Sequence, residues 1–193
     1  ELLLTDDVAR GHQLAEYAHE LNAQRESIER SIQLAATKQA TERFDPAADP
    51  ALVLAARGWP PGVIGIVAGR LAEKYHRPVV MIAQDEHQGR EAIGSLRSVP
   101  GFDVHAPLLA CRELLRSCGG HAAAAGLRVD DGQIDAFREK FCGEVASRMA
   151  KGLRTATLTI DGETTLAALT LRVVEEIERL APFGNANHRP LLC

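Results

Sequence analysis

One histidine in this sequence stands where chemistry could be done. Gly119-Gly120-His121-Ala122-Ala123-Ala124-Ala125-Gly126 presents a single functional side chain, His121, on a platform of glycine and alanine. Glycine permits positive φ and lets another group approach the backbone closely. Four alanines favour a short helical turn, and the first amides of such a turn are unpaired and can face an anion. The stretch reads as a phosphate or small-ligand site built on Gly119, Gly120, His121, Ala125 and Gly126. It reads equally as a tight turn packed under a helix, with His121 a satisfied side chain. Composition alone leaves both open.

A second candidate is Gly94-Ser95-Leu96-Arg97-Ser98. Arg97 and Ser98 could fork onto a phosphate; the other reading makes Arg97 a solvated edge residue. The remaining reactive groups point elsewhere. Cys111, Cys118, Cys142 and Cys193 contain no C-x-x-C pair, which argues against zinc. They read as free, mostly buried thiols in a reducing, cytoplasmic compartment, and the spacing of Cys111 and Cys118 suggests one helix face. Asp6-Asp7 and Asp130-Asp131 suit helix caps, and Glu175, Glu176 and Glu178 suit a solvated helix face. No nucleophile elbow, Walker loop or Asp-His-His cluster occurs, so no metal ligand is assigned within the chain.

The elements that must position these groups follow from periodicity. Thr5-Asp6-Asp7 caps a helix running to about residue 40, with Leu14, Leu21, Ile28 and Ala35 as a seam seven residues apart. A polar, proline-bearing stretch, 44–50, ends it. Ala51–Ala56 reads as a buried strand and Val63–Tyr75 as a helix with Gly62, Gly65 and Gly69 on one face. Bare glycines there predict close approach to a strand or ligand. Pro78–Ala83 is the next strand, which makes a parallel crossover. Glu91–Val99 reads as a strand, and Asp103 caps a helix from His105 to about Arg116. Leu127–Val129 is a strand, and the helix from Asp131 to about Lys151 buries Ile134, Phe137, Phe141, Val145 and Met149. Thr155–Asp161 alternates as a strand, Leu169–Ala181 is a helix, and a turn-rich stretch at 182–190 leads to a strand starting at Leu191.

The predicted fold is α/β: a mixed sheet flanked by helices, preceded by a long connecting helix. With 193 residues, 46% of them hydrophobic, the chain can bury one sizeable core plus an appendage. No run approaches the roughly 20 apolar residues of a membrane span. The chain begins at Glu1, which reads as a piece of something longer. A net charge of −4 argues against a wholly basic nucleic-acid binder. Residues 57–128, however, hold nine basic and six acidic groups and form the one net-positive third. A local positive surface attracts phosphate despite a negative total.

Taken together, Gly119–Gly126, Gly94-Ser95-x-Arg97-Ser98, and Trp59-x-x-Gly62-Val63-Ile64-Gly65-Ile66-Val67-Ala68-x-Arg70-Leu71 resemble the DHH-associated domain of the DHH phosphoesterase superfamily, in its RecJ-type exonuclease branch. Leu180-Ala181-Pro182-Phe183-Gly184 resembles the passage into that branch's oligonucleotide-binding barrel. Two places depart from the pattern. Pro60 follows the tryptophan where histidine is usual, and Ala186-Asn187-His188 follows Gly184-Asn185 where Gly-x-Gly-Asn-Pro is usual.

The resemblance implies a division into a connecting helix and linker (1–50), a DHH-associated core (51–152) and a segment leading to the barrel (153–193). It also implies single-stranded DNA as substrate, digested from the 5′ end in repair and recombination. Mn²⁺ or Mg²⁺ would be held by a preceding domain outside the chain. Ser95, Arg97 and Ser98 would bind phosphate, His121 would donate to a phosphate oxygen near the scissile bond, and Gly119 and Gly120 would let the strand approach. The fragment alone would bind and not cut. Relatives acting on oligoribonucleotides, nucleoside bisphosphates or cyclic dinucleotides share the Gly-Gly-His signature, as does a tRNA-binding appended domain. These remain the alternatives.

Overall fold

A computed structural model describes residues 1–45, 48–85, 91–149, 158–184 and 186–193. It divides into two units, Glu1–Arg154 and Thr155–Cys193.

The first unit opens with helix α1 (Val8–Arg43). Asp7 caps it as expected: its carboxylate accepts from the amides of Ala9 at 2.9 Å and Arg10 at 3.2 Å. The seven-residue seam is not what docks. Leu21 and Ile28 are 46% and 42% exposed, whereas Glu29, Ile32, Ala36 and Ala40 are buried. Only the last turns of α1 touch the domain, and the small alanines admit close packing against the next helix. Glu29 anchors the start of that stripe. Arg25 Nη1 donates to its carboxylate at 2.5 Å, and Arg70 pairs with it from across the interface. The docked face is thus chosen by the partner and not by the largest apolar side chains.

Strand β1 (Leu52–Arg57), helix α2 (Pro61–Tyr75) and strand β2 (Val79–Gln84) form the predicted parallel crossover, with Leu52 opposite Val79 and Arg57 opposite Gln84. Pro61 suits the first turn of α2, where its missing N–H costs nothing. His76 ends the helix in a left-handed conformation (φ 51°). Strand β3 (Glu91–Arg97) returns antiparallel to β2.

Asp103 accepts from the His105 amide at 2.8 Å, but helix α3 covers only His105–Ala110. The expected run to Arg116 is replaced by a single tight turn, Arg112–Leu114, because the chain must reverse into β4 (Ser117–His121). Cys111 and Cys118 therefore do not share a helix face. The four alanines are not helical either. Ala122 and Ala123 form a two-residue turn, and Ala124 and Ala125 begin β5 (Ala124–Asp130). Seven register pairs between β3 and β5 outweigh alanine's helical preference. Helix α4 (Ile134–Arg148) closes the unit on Ile134, Phe137, Phe141 and Val145.

The sheet order is β1-β2-β3-β5-β4. Alternation along each strand divides the core in two. Leu52, Leu54, Val79 and Met81 pack with α1 and α2, while Val53, Val80, Ile82, Leu96, Leu127 and Val129 pack with α3 and α4. The β1 edge is blunted by side chains. Gln39 Nε2 and Arg138 Nε donate to the Ala55 and Val53 carbonyls, each at 3.1 Å.

In the second unit, helix α5 spans Leu171–Glu178, shorter at both ends than predicted, and Thr170 Oγ1 caps it by accepting from the Val173 amide. Residues 155–157 of the predicted strand lie outside the described residues. Residues 158–161 form no ladder, and Leu158 is 77% exposed. Pairing starts one step later, at the Gly162–Leu192 parallel bridge. Among the described residues no helix is long and apolar enough to cross a membrane.

Candidate phosphate-binding site

The site is laid out by strand register. Val79, Arg97, Ala124 and His121 form one row across the sheet. Met81, Ser95, Gly126 and Gly119 form the next, and Ala83, Ile93, Arg128 and Ser117 the third. Because successive residues face opposite sides, Ser95, Arg97, Gly119, His121 and Gly126 share one face. That face is covered by α2 over β2 and left exposed at Gly126, Gly119 and His121. Arg97 and His121 stand two strand spacings apart, roughly 10 Å, with only the Ala124 methyl between them.

Arg97 is half-buried at the α2 margin of this open surface. Its Nη1 donates to Ser95 Oγ at 3.0 Å and to the Leu96 carbonyl at 2.8 Å, which orients the guanidinium. Gly65 of α2 makes room for it: a methyl group there would stand 2.8 Å from Arg97 Nη2 and 2.9 Å from Ser95 Oγ. Of the three helix glycines, only Gly65 makes the predicted close approach, and it is to this arginine; a methyl group on Gly69 would stand 3.9 Å from Arg97 Cγ, and nothing described lies within 4 Å of one on Gly62. Among the described residues no carboxylate pairs with Arg97. By contrast, Arg128 is paired with Glu91 at 2.5 Å and Arg116 with Asp130 at 2.9 Å. An oriented guanidinium without a counter-charge is the group on this face best suited to a phosphate oxygen.

His121 is exposed at the end of β4. Its Nδ1 accepts from the Ala123 amide at 3.3 Å. In the neutral ring that leaves Nε2 as the hydrogen-bond donor. The turn beneath it is pinned from outside, since the Ser98 amide donates to the Ala123 carbonyl at 2.9 Å and the Val104 amide to the Ala122 carbonyl at 3.0 Å. Ser98 serves here chiefly through its backbone, and its hydroxyl donates to the Phe102 carbonyl at 2.6 Å. Gly120 and Ala125 lie on the opposite face. Gly120 has φ 147°, and a methyl group on it would come 2.4 Å from Ala125 Cα. That glycine is required for the hairpin to close.

Among the described residues no three His, Cys, Asp or Glu side chains converge to hold a metal ion. Arg97 and His121 offer hydrogen-bond donors that can bind and orient a phosphate.

A mixed sheet carrying a glycine-rich hairpin and a helix-packed arginine on one face agrees with the expected DHH-associated domain. The chain belongs to the DHHA1 domain family, whose profile matches residues 48–147, and residues 160–193 match the RecJ OB domain. Within that family its likeness is to RecJ. It is 34% identical over 191 residues to the single-stranded-DNA-specific exonuclease RecJ of Thermus thermophilus, covering 98% of this chain and 26% of that protein. The corresponding protein of Bacillus subtilis is 29% identical over 191 residues, covering 98% and 24%. The crystal structure of the Thermus thermophilus RecJ in complex with Mg²⁺ superposes with a TM-score of 0.80 at 31% identity, covering 99% of this chain and 29% of that one. Exonuclease RecJ bound to manganese gives 0.64 at 36% identity, covering 75% and 34%. The chain thus spans about a quarter to a third of the length of the curated relatives it matches.

Proposed function

We propose that this chain is the substrate-holding part of a RecJ-type exonuclease that degrades single-stranded DNA from the 5′ end, in repair and recombination. The observation that carries the reading is the row formed by Arg97 and His121. It puts an oriented guanidinium, paired with no carboxylate among the described residues, and an imidazole donor on one face that Gly119 and Gly126 leave open. Arg97, held by Ser95, binds a phosphate oxygen. His121 donates from Nε2 to a second oxygen nearer the scissile bond. Gly119 and Gly126 leave the surface low enough for the strand to lie against the sheet. Charge-assisted bonds of this kind contribute roughly 1.5–3 kcal/mol each.

The RecJ structures that this chain resembles contain Mg²⁺ or manganese. In the parent, a divalent ion would supply the activated water for phosphodiester attack, with ligands drawn from outside this chain. The chain by itself binds and does not cut. Fluorescence anisotropy with a short 5′-phosphorylated oligodeoxynucleotide tests the reading. Saturable, salt-sensitive binding without cleavage in Mn²⁺ is expected. Robust metal-dependent cleavage by the purified chain, or no binding at low salt, overturns it.

A further inference from the structure

Beyond Arg97 the open face runs into a groove of about 760 Å³ that the phosphate reading does not use. It lies between α2, at Gly69 and Glu73, and the 98–103 loop, and the hairpin tip closes it at Ala122 and Ala123. The groove is preformed. Ser98 Oγ to the Phe102 carbonyl, the Phe102 amide to the Val99 carbonyl (3.2 Å) and two backbone bonds to the hairpin tip hold its walls. Its size falls within the roughly 300–1,000 Å³ of small-molecule sites.

Its lining is chemically lopsided. Val99, Phe102, Ala122 and Ala123 give apolar walls, and among the described residues Arg97 is the one cationic residue lining it. Glu73 and Asp103 are the acidic residues there, and the Asp103 carboxylate already accepts from the His105 amide. Two carboxylates repel a phosphate, which confines the anion to the Arg97 end. They accept hydrogen bonds and offer none. An uncharged, flat group bearing N–H donors suits the space between apolar walls and carboxylates.

We infer that this groove is a nucleobase subsite for the nucleotide whose phosphate Arg97 holds, favouring bases with an exocyclic amino group over thymine. The inference rests on the phosphate reading of Arg97. Cytosine and adenine present amino donors where thymine presents a carbonyl acceptor, and burial of one base between apolar walls contributes through stacking and desolvation.

The test is an abasic scan. The chain is titrated with 5′-phosphorylated hexadeoxycytidylate and with variants lacking the base at one position at a time, followed by anisotropy. One position should weaken binding about tenfold when its base is removed, and thymine there should weaken it about threefold. Ala122 is exposed, so Ala122→Leu fills the groove without adding charge or disturbing the core. In that protein the abasic penalty at the same position should vanish. A scan with no sensitive position, or a penalty unchanged in Ala122→Leu, overturns the subsite. Arg97→Ala separates the two levels. If it weakens binding while the scan is flat, the phosphate reading stands and the subsite falls; if it changes nothing, both fall.

Discussion

Gly65 and Arg97 are packed so closely that a single methyl group on the glycine would fall 2.8 Å from Nη2 of the arginine. The contact links the crossover helix to the proposed phosphate ligand, and the two ends respond differently to substitution. Alanine is a better helix former than glycine by about 1 kcal/mol, and the nearest obstructing atom is the flexible end of a side chain. Gly65→Ala should therefore leave the melting temperature unchanged or slightly raised while displacing Arg97. The expected result is about tenfold weaker binding to single-stranded DNA, read by anisotropy beside a thermal melt. Unfolding in parallel with lost binding would contradict this.

Arg97→Ala should weaken binding and also change its salt dependence. Each phosphate contact on a single strand contributes about 0.7 to the slope of log K against log salt. Titrations between 50 and 300 mM NaCl should show the slope reduced by about that amount, with the fold intact by circular dichroism. An unchanged slope would confine Arg97 to its packing against Ser95 and α2.

Gly120→Ala should unfold the hairpin where Gly119→Ala does not. Gly120 sits at φ 147°, and its added methyl would strike the backbone of the paired strand, 2.4 Å from Ala125 Cα and 2.5 Å from the Ala124 carbonyl oxygen. Nothing lies within 4 Å of the equivalent position on Gly119. Backbone strain and a clash that neither strand can relieve cost roughly 3 kcal/mol. Urea denaturation of the two variants measures the difference.

Glu29 is 1% exposed and bonded to Arg25 and Arg70, whose side chains are 39% and 48% exposed. Removing a fully buried partner costs roughly 3–5 kcal/mol, but these arginines can turn to water. Glu29→Ala should cost about 2 kcal/mol and increase hydrogen exchange in the last turns of α1. Glu29→Gln, which keeps an acceptor, should cost less.

A buried thiol, Cys111, and a half-buried one, Cys142, set an alkaline limit. Burial pushes Cys111 and Cys142 from 9.0 up to about 11. Between those values the unfolded chain has lost the protons that the folded chain keeps. Their contribution to stability is complete below pH 9 and is lost as pH rises through 11. Thermal midpoints should fall across that range, less steeply in Cys111→Ala. Iodoacetamide at pH 8 should label the exposed Cys193 and leave Cys111 unmodified.

Much of this protein is determined by local sequence. Asp7 caps a helix wherever it precedes one, and β-branched, apolar 79–83 can only be a buried strand beside the 52–57 run. The parallel crossover follows from their order. Gly65 announced a close approach, and the net-positive middle third holds the proposed phosphate site. Other features are non-local, and only the tertiary structure decided them. Ala122–Ala125 prefer a helix in isolation, but pairing with β3 makes them a turn and a strand. Leu21 and Ile28 outweigh Ala36 and Ala40 on any hydrophobicity scale, yet the stripe of Ile32, Ala36 and Ala40 docks because it is the face that meets α2 beside the Glu29–Arg70 pair. Register brings Arg97 into the row of His121, and no spacing in the chain encodes a register. The Glu73–Phe102 groove, assembled from α2, a loop and a hairpin tip, exists only where those three elements meet.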